Sequence, residues 1–149
     1  MKKVIDSFNR DYAFLSNFYE SPIEFEGIKY PTVEHYFQAM KTLNIPERKN
    51  IAGAPTPGKA KQFGRSVWLR NDWETIKDDV MLAGLRLKFQ IPEFRTELLN
   101  TEDAELIEGN FWHDNTWGDC VCDKCLDKPG ENRLGKLLMK VRTELQEGK

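Results

Sequence analysis

The sequence predicts an α+β fold rich in helix, with a small N-terminal β-sheet or hairpin, and three observations carry that reading. Apolar residues recur at helical spacing over 73–87 and again over 134–145. The segment before Tyr30 instead mixes β-favouring runs with turn residues. No linker, internal repeat or low-complexity tract interrupts the 149 residues. A chain of that length forms one domain and buries roughly 70% of the surface it exposes when unfolded. One compact domain over 1–149 is therefore expected.

The elements follow in order. In "SPIEFEGIKY" the pair Glu26-Gly27 can turn one short strand back on another, and "KVIDSF" adds a β-favouring run before it. Thr32 after Pro31 is a natural N-cap, with Glu34 in the first turn where the helix dipole favours negative charge. Val33, Tyr36, Phe37 and Met40 then share one face. "GAPTPG" breaks the chain, and "KAKQFGR" can form a short helix. Asp72 caps a helix in which Trp73, Ile76, Val80, Ala83 and Leu87 make a core face. Pro92 opens a short helix through Leu99, "AELIEGN" reads as a brief strand entering a polar loop, and a terminal helix follows Asn132.

Composition excludes several classes. The apolar share is 40% and no apolar run approaches the roughly 18–20 residues that span a bilayer, so no membrane association is expected. "MKKVIDSFNR" lacks the apolar stretch of a secretory signal, and the three cysteines, all within 120–125, are too few and too close for a disulfide framework. A cytoplasmic protein is expected. A net charge of −2 argues against a general nucleic-acid coat. The total hides an asymmetry: Arg48, Lys49, Lys59, Lys61, Arg65 and Arg70 fall in a stretch without one acidic residue. Such a stretch is either a solvated face or the binding side for a phosphate-bearing ligand.

Glu34, Gln38 and Lys41 form a polar row on the helix after Thr32. Glu34 and Lys41 lie about 10 Å apart along the axis, too far for the usual stabilising pair one turn apart. Either the row is an exposed polar face, or neighbouring elements cover it. A covered Lys41 would be desolvated and partly neutral, hence nucleophilic toward a carbonyl or imine carbon, and a covered Glu34 could transfer protons. His35 points away from the row and reads as a surface or core-edge residue. "EGNFWHDNTWGDC" is a polar, aromatic loop in which Trp112 and Trp117 either fill core or stack on a base, and Asp119 is either an acid–base group or the holder of a turn. Cys120, Cys122 and Cys125 with His113 would chemically suit a Cys3His zinc site. Their spacing is not that of paired C-x2-C knuckles, so free thiols are favoured over structural zinc.

The ordered strings "FLSNFYESPIEFEGIKYPTVEHYFQAMK", "AKQFGR", "NDWETIKDDVMLAGLRLKF", "WGD" and "NRLGKLLMKVR" cover nearly the whole chain. Together they resemble the NADAR family, known also through its riboflavin-biosynthesis-intermediate N-glycosidases. The resemblance implies a compact α+β domain that hydrolyses the N-glycosidic bond between a phosphorylated ribose and an exocyclic amine. The substrate would be an aminopyrimidine ribosyl phosphate or ADP-ribose on guanine in nucleic acid. It further implies Glu34 and Lys41 as a catalytic pair, Asp119 as a further acid or base, and Gln38 on a ribose hydroxyl. Arg65 of "FGR" matches a phosphate-side motif, with Asn17 and Asn132 as polar ligands to ribose or base and Trp117 as a stacking candidate. Two mechanisms fit: a Schiff base on Lys41, or direct displacement flanked by Glu34 and Asp119. No cofactor and no obligate protein partner are implied. A non-catalytic ADP-ribose or NAD reader and a zinc-dependent nucleic-acid module are the other classes considered.

Overall fold

The computed structural model describes residues 2–148; Met1 and Lys149, the ends of the domain expected above, lie outside them. The described residues form six α-helices, one 3-10 helix and three two-stranded sheets, a helix-rich α+β architecture as expected. The contacts gather into two compact units, one running from Asn17 to Lys88 and the other joining the chain before Asn17 to the chain from Phe89 onward.

In the Asn17–Lys88 unit, β2 (Ile23–Phe25) and β3 (Ile28–Tyr30) pair antiparallel, with Phe25 opposite Ile28. The turn between them places Glu26 at φ 50° and Gly27 at φ 81°, the doubly left-handed geometry that matches strand twist in a two-residue hairpin. Helix α1 (Val33–Ala39) follows, and the Thr32 hydroxyl accepts the His35 N–H as its cap. Helices α2 (Ile45–Ala52), α3 (Pro57–Gly64) and α4 (Trp73–Lys88) surround α1 together with the hairpin. Every residue of α1 is buried, the polar ones included. Tyr36 lies edge-on to Phe25 and Tyr30, and its hydroxyl donates to the Val80 carbonyl at 2.9 Å. Burial pushes that phenol up to about 12. A Cβ at Gly84 would collide with the Tyr36 ring, so glycine lets α4 approach α1 this closely.

Two details depart from the expectation. Helix α2 carries little apolar pattern; it is held by the Asn44 cap on Glu47, the fully buried Ile51 and the buried Arg48, whose Nε donates to the Thr42 carbonyl at 2.8 Å. His35 is 1% exposed rather than superficial. Its Nε2 lies 3.0 Å from the Ala54 carbonyl, which can only accept, so Nε2 bears the proton and Nδ1 accepts from the Thr32 hydroxyl at 2.8 Å. Burial lowers its pKa and keeps this neutral form.

In the other unit β1 (Val4–Ile5) pairs parallel with β4 (Glu105–Leu106), and β5 (Gly109–Asn110) pairs parallel with β6 (Asp119–Cys120). Helix α5 (Pro92–Leu99) packs on α6 (Arg133–Gln146) and on a 3-10 turn at Arg10–Leu15. The α6 stripe of Leu134, Leu138, Val141 and Leu145 is buried as its spacing predicts. Asn132 opens α6 in the left-handed region at φ 50°, which Asn tolerates better than most residues.

Candidate active site

The polar row on α1 is covered. Glu34 is 8% exposed and Gln38 3%, and the Gln38 Nε2 donates to the Glu34 Oε2 at 2.6 Å. The Glu34 N–H is satisfied by the Asn17 carbonyl at 3.1 Å, and the Asn17 Nδ2 rests on the Met81 sulfur at 3.3 Å. Two buried amide oxygens in this shell, Asn17 Oδ1 and Gln38 Oε1, have no hydrogen-bond partner among the described residues. Orphaned buried acceptors cost folding free energy, and active sites are where that cost is tolerated. Asn17 Oδ1 is itself closed off from solvent.

Lys41 sits just beyond α1: Met40 ends the helix, and the Lys41 N–H bonds back to the Gln38 carbonyl at 3.2 Å. The helix tightens at its end rather than continuing through Lys41, so the third member of the row stands just outside it. The Lys41 carbonyl in turn accepts the Arg70 N–H at 2.8 Å, which fixes the backbone beneath the amine. Lys41 is half-buried, and burial lowers its pKa below the usual lysine value. The Glu34 carboxylate opposes that shift, while Lys61, Arg65 and Lys77 reinforce it. Glu34, Gln38, Lys41 and Arg65 therefore belong to one electrostatic cluster, with Arg65 exposed at the C-cap of α3.

Gly64 sets the depth of this cluster. A Cβ there would strike the Gln38 Oε1 and crowd its side chain. Gly64→Ala is expected to push the Gln38 amide off Glu34 and lower kcat about tenfold while KM changes little. Steady-state kinetics with a thermal melt checks this: an unchanged kcat would mean that the Gln38–Glu34 hydrogen bond does not serve turnover.

Sequence reasoning missed the cavity of about 530 Å³ lined by Thr42, Leu43, Asn44, Glu47 and residues 68–71. It begins one residue past Lys41 without including the Lys41 side chain, and Trp68, 86% exposed, presents an open indole face there. The available signal was a tryptophan inside the basic stretch.

Trp117, Asp119 and Asn132 gather in the other unit. The carbonyls of Thr116, Trp117 and Gly118 accept the N–H groups of Arg133, Leu134 and Asn132, so "WGD" supplies the missing acceptors at the start of α6. The Asp119 Oδ1 accepts the Gly130 N–H at 2.9 Å, the turn-holding role. Asn132 spends both ends of its amide internally, donating to the Leu106 carbonyl at 2.9 Å and accepting from the Glu108 N–H at 3.0 Å. Trp117 is half-buried and Trp112 exposed, so Trp112 does not fill core.

The chain's resemblances agree with this arrangement. The NADAR domain model matches residues 5–146. N-glycosidase YbiA of Escherichia coli (strain K12) is 44% identical over 138 residues, covering 91% of this chain and 82% of that one. N-glycosidase Npun_R5314 of Nostoc punctiforme is 36% identical, covering 91% and 86%. The riboflavin biosynthesis protein VVA0006 of Vibrio vulnificus is 37% identical over 93% of this chain and 37% of its own length. The NMR structure of E. coli YbiA superposes with a TM-score of 0.85 at 40% identity, covering 99% of this chain and 88% of that one. Fold and relatives define an N-glycosidase, a hydrolase of N-glycosyl bonds. The chain belongs to the NADAR domain family.

Proposed function

We propose that the chain hydrolyses the bond between C1 of a phosphorylated ribose and an exocyclic amine, through an imine formed on Lys41. The observation that carries this reading is the environment of Lys41: a half-buried amine whose pKa is lowered by burial and by the field of Lys61, Arg65 and Lys77, and raised by the charge of Glu34. An exocyclic ribosylamine, unlike a ring-nitrogen nucleoside, can open to an imine at C1. In the first step a proton reaches the ring oxygen by way of Glu34 and the C1–O bond breaks, leaving the open-chain imine. Neutral Lys41 then adds to C1, its proton passes to the substrate nitrogen, and the C1–N bond breaks to release the free amine. Water adds to the remaining lysine imine and returns the open sugar phosphate and the free lysine.

The surrounding cations suit a phosphate, and the planar Arg65 fork suits one best. Arg65→Ala is expected to raise KM about tenfold for a phosphorylated substrate, with little change for its dephosphorylated analogue. An equal effect on both would take Arg65 away from the phosphate. The open face of Trp68 offers a stacking surface for a base. The riboflavin biosynthesis name of the Vibrio relative favours an aminopyrimidine ribosyl phosphate. Incubation with that substrate and, separately, with ADP-ribosylated guanine in nucleic acid, followed by chromatography of the released base and sugar, tests the reading. Release from neither substrate rejects it.

A further inference from the structure

The segment from 111 to 130 poses a stability problem. Phe111, Trp112, Val121 and Leu126 are exposed, and in this stretch the buried side chains are those of Cys120 and Cys125. An irregular stretch of this length without apolar burial needs another tether. Its regular structure is limited to the two residues of β6.

The four candidate ligands converge at this point. The ligand atoms of His113, Cys120, Cys122 and Cys125 all lie within 4.8 Å of one another. The His113 Nδ1 is 3.3 Å from the Cys122 Sγ, 3.3 Å from the Cys125 Sγ and 3.8 Å from the Cys120 Sγ. One ring nitrogen has a single in-plane lone pair or a single N–H, so it cannot satisfy three sulfurs by hydrogen bonding. A tetrahedral ion with Zn–S of about 2.3 Å and Zn–N of about 2.0 Å would hold nitrogen and sulfur about 3.5 Å apart, within the observed spread.

The backbone is arranged to match. The Cys125 N–H bonds to the Cys122 carbonyl at 3.0 Å, closing the turn of a C-x2-C pair. The Cys120 N–H is held by the Asn115 Oδ1 at 2.8 Å. His113 adopts φ 67°, a strained conformation for a residue other than glycine, which needs a compensating interaction.

We propose that His113 Nδ1 and the sulfurs of Cys120, Cys122 and Cys125 bind one thiophilic divalent cation, zinc by its tetrahedral preference, as a closed structural site. The spacing alone favoured free thiols; the folded positions reverse that preference. Each cysteine enters as a thiolate and gives its proton to solvent, so the filled centre carries a net charge of about −1 and its affinity rises with pH. With all four positions taken by protein, the ion has no open site for substrate. It would brace the loop that returns from Asp119 to the start of α6.

The test uses the full chain, purified under a non-thiol reductant and reconstituted with zinc, then with cobalt. Stoichiometric zinc by elemental analysis, a tetrahedral cobalt spectrum with thiolate charge-transfer bands, and zinc-dependent protection of the cysteines from a thiol reagent are expected. Cys122→Ser and His113→Ala should each weaken retention of zinc at least tenfold against a chelator. Zinc at trace level after reconstitution, or thiols equally reactive with and without it, overturns the proposal.

Discussion

Lys41→Ala is expected to cost on the order of 10³-fold or more in kcat, because it removes the atom that forms the bond to C1. Borohydride added during turnover should link the sugar to the wild-type chain at Lys41 and leave the variant unlabelled. Turnover that persists in the variant, or an active wild type that never traps, would favour direct displacement instead. The pH profile carries the same information with a defined sign. Burial, aided by Lys61, Arg65 and Lys77, lowers the Lys41 pKa. Only the neutral amine attacks, so kcat/KM should rise with pH and level off above a folded-state pKa lying below 10.5. Lys61→Gln removes one of the cations that depress it and should move that rising limb to higher pH.

Stability separates this role from a structural one. The folded-state pKa of Lys41 lies below its unfolded value, so the unfolded chain holds the proton more tightly over the interval between them. Stability linked to this group therefore rises with pH across that interval, and below it the buried ammonium is a net cost. Lys41→Met should leave the Tm at neutral pH unchanged or raised while abolishing turnover. Loss of fold and activity together would make Lys41 a structural lysine.

Much of the frame was readable because its signals are local. Glu26-Gly27 needs left-handed backbone and takes it, Thr32 caps α1, and Pro92 starts α5. The α6 stripe repeats on a helical period and is buried. What escaped depends on distant partners. Helix α2 has its charges spread around its axis, so periodicity is silent and only its cap and Ile51 announce it. Asp72 does precede α4, and its carbonyl accepts the Thr75 and Ile76 N–H groups at 3.0 Å and 3.1 Å, while its carboxylate is held by Arg70 at 2.7 Å and 3.2 Å. The polar row shows the same limit. Spacing placed Glu34, Gln38 and Lys41 together, but whether the row faces water or protein depended on α2, α3 and α4 closing over α1. Asn132 matched a motif by sequence, while its amide proves to be engaged with the backbone of residues 106 and 108.

Glu34→Gln is the complementary substitution, and it should lower kcat by about 10²- to 10⁴-fold through loss of proton transfer. The replacement keeps the volume and leaves an oxygen to accept the Gln38 amide, now at 2.6 Å from the Glu34 Oε2. Folding should survive, and a melt close to wild type checks that. Glu34 also raises the Lys41 pKa, against burial and the cations Lys61, Arg65 and Lys77 that lower it. Removing its charge takes away an attraction that holds the proton on the amine, so the lysine loses its proton more readily and the rising limb of kcat/KM should move to lower pH. That shift is opposite in sign to the one expected for Lys61→Gln. Opposite displacements of one limb, produced by removing an anion and a cation from the same neighbourhood, identify the titrating group as the amine between them. If both variants move the limb in the same direction, or neither moves it, another group titrates and the nucleophile must be sought elsewhere. A Glu34→Gln chain with wild-type kcat would leave Glu34 as a buried carboxylate that only supports Gln38.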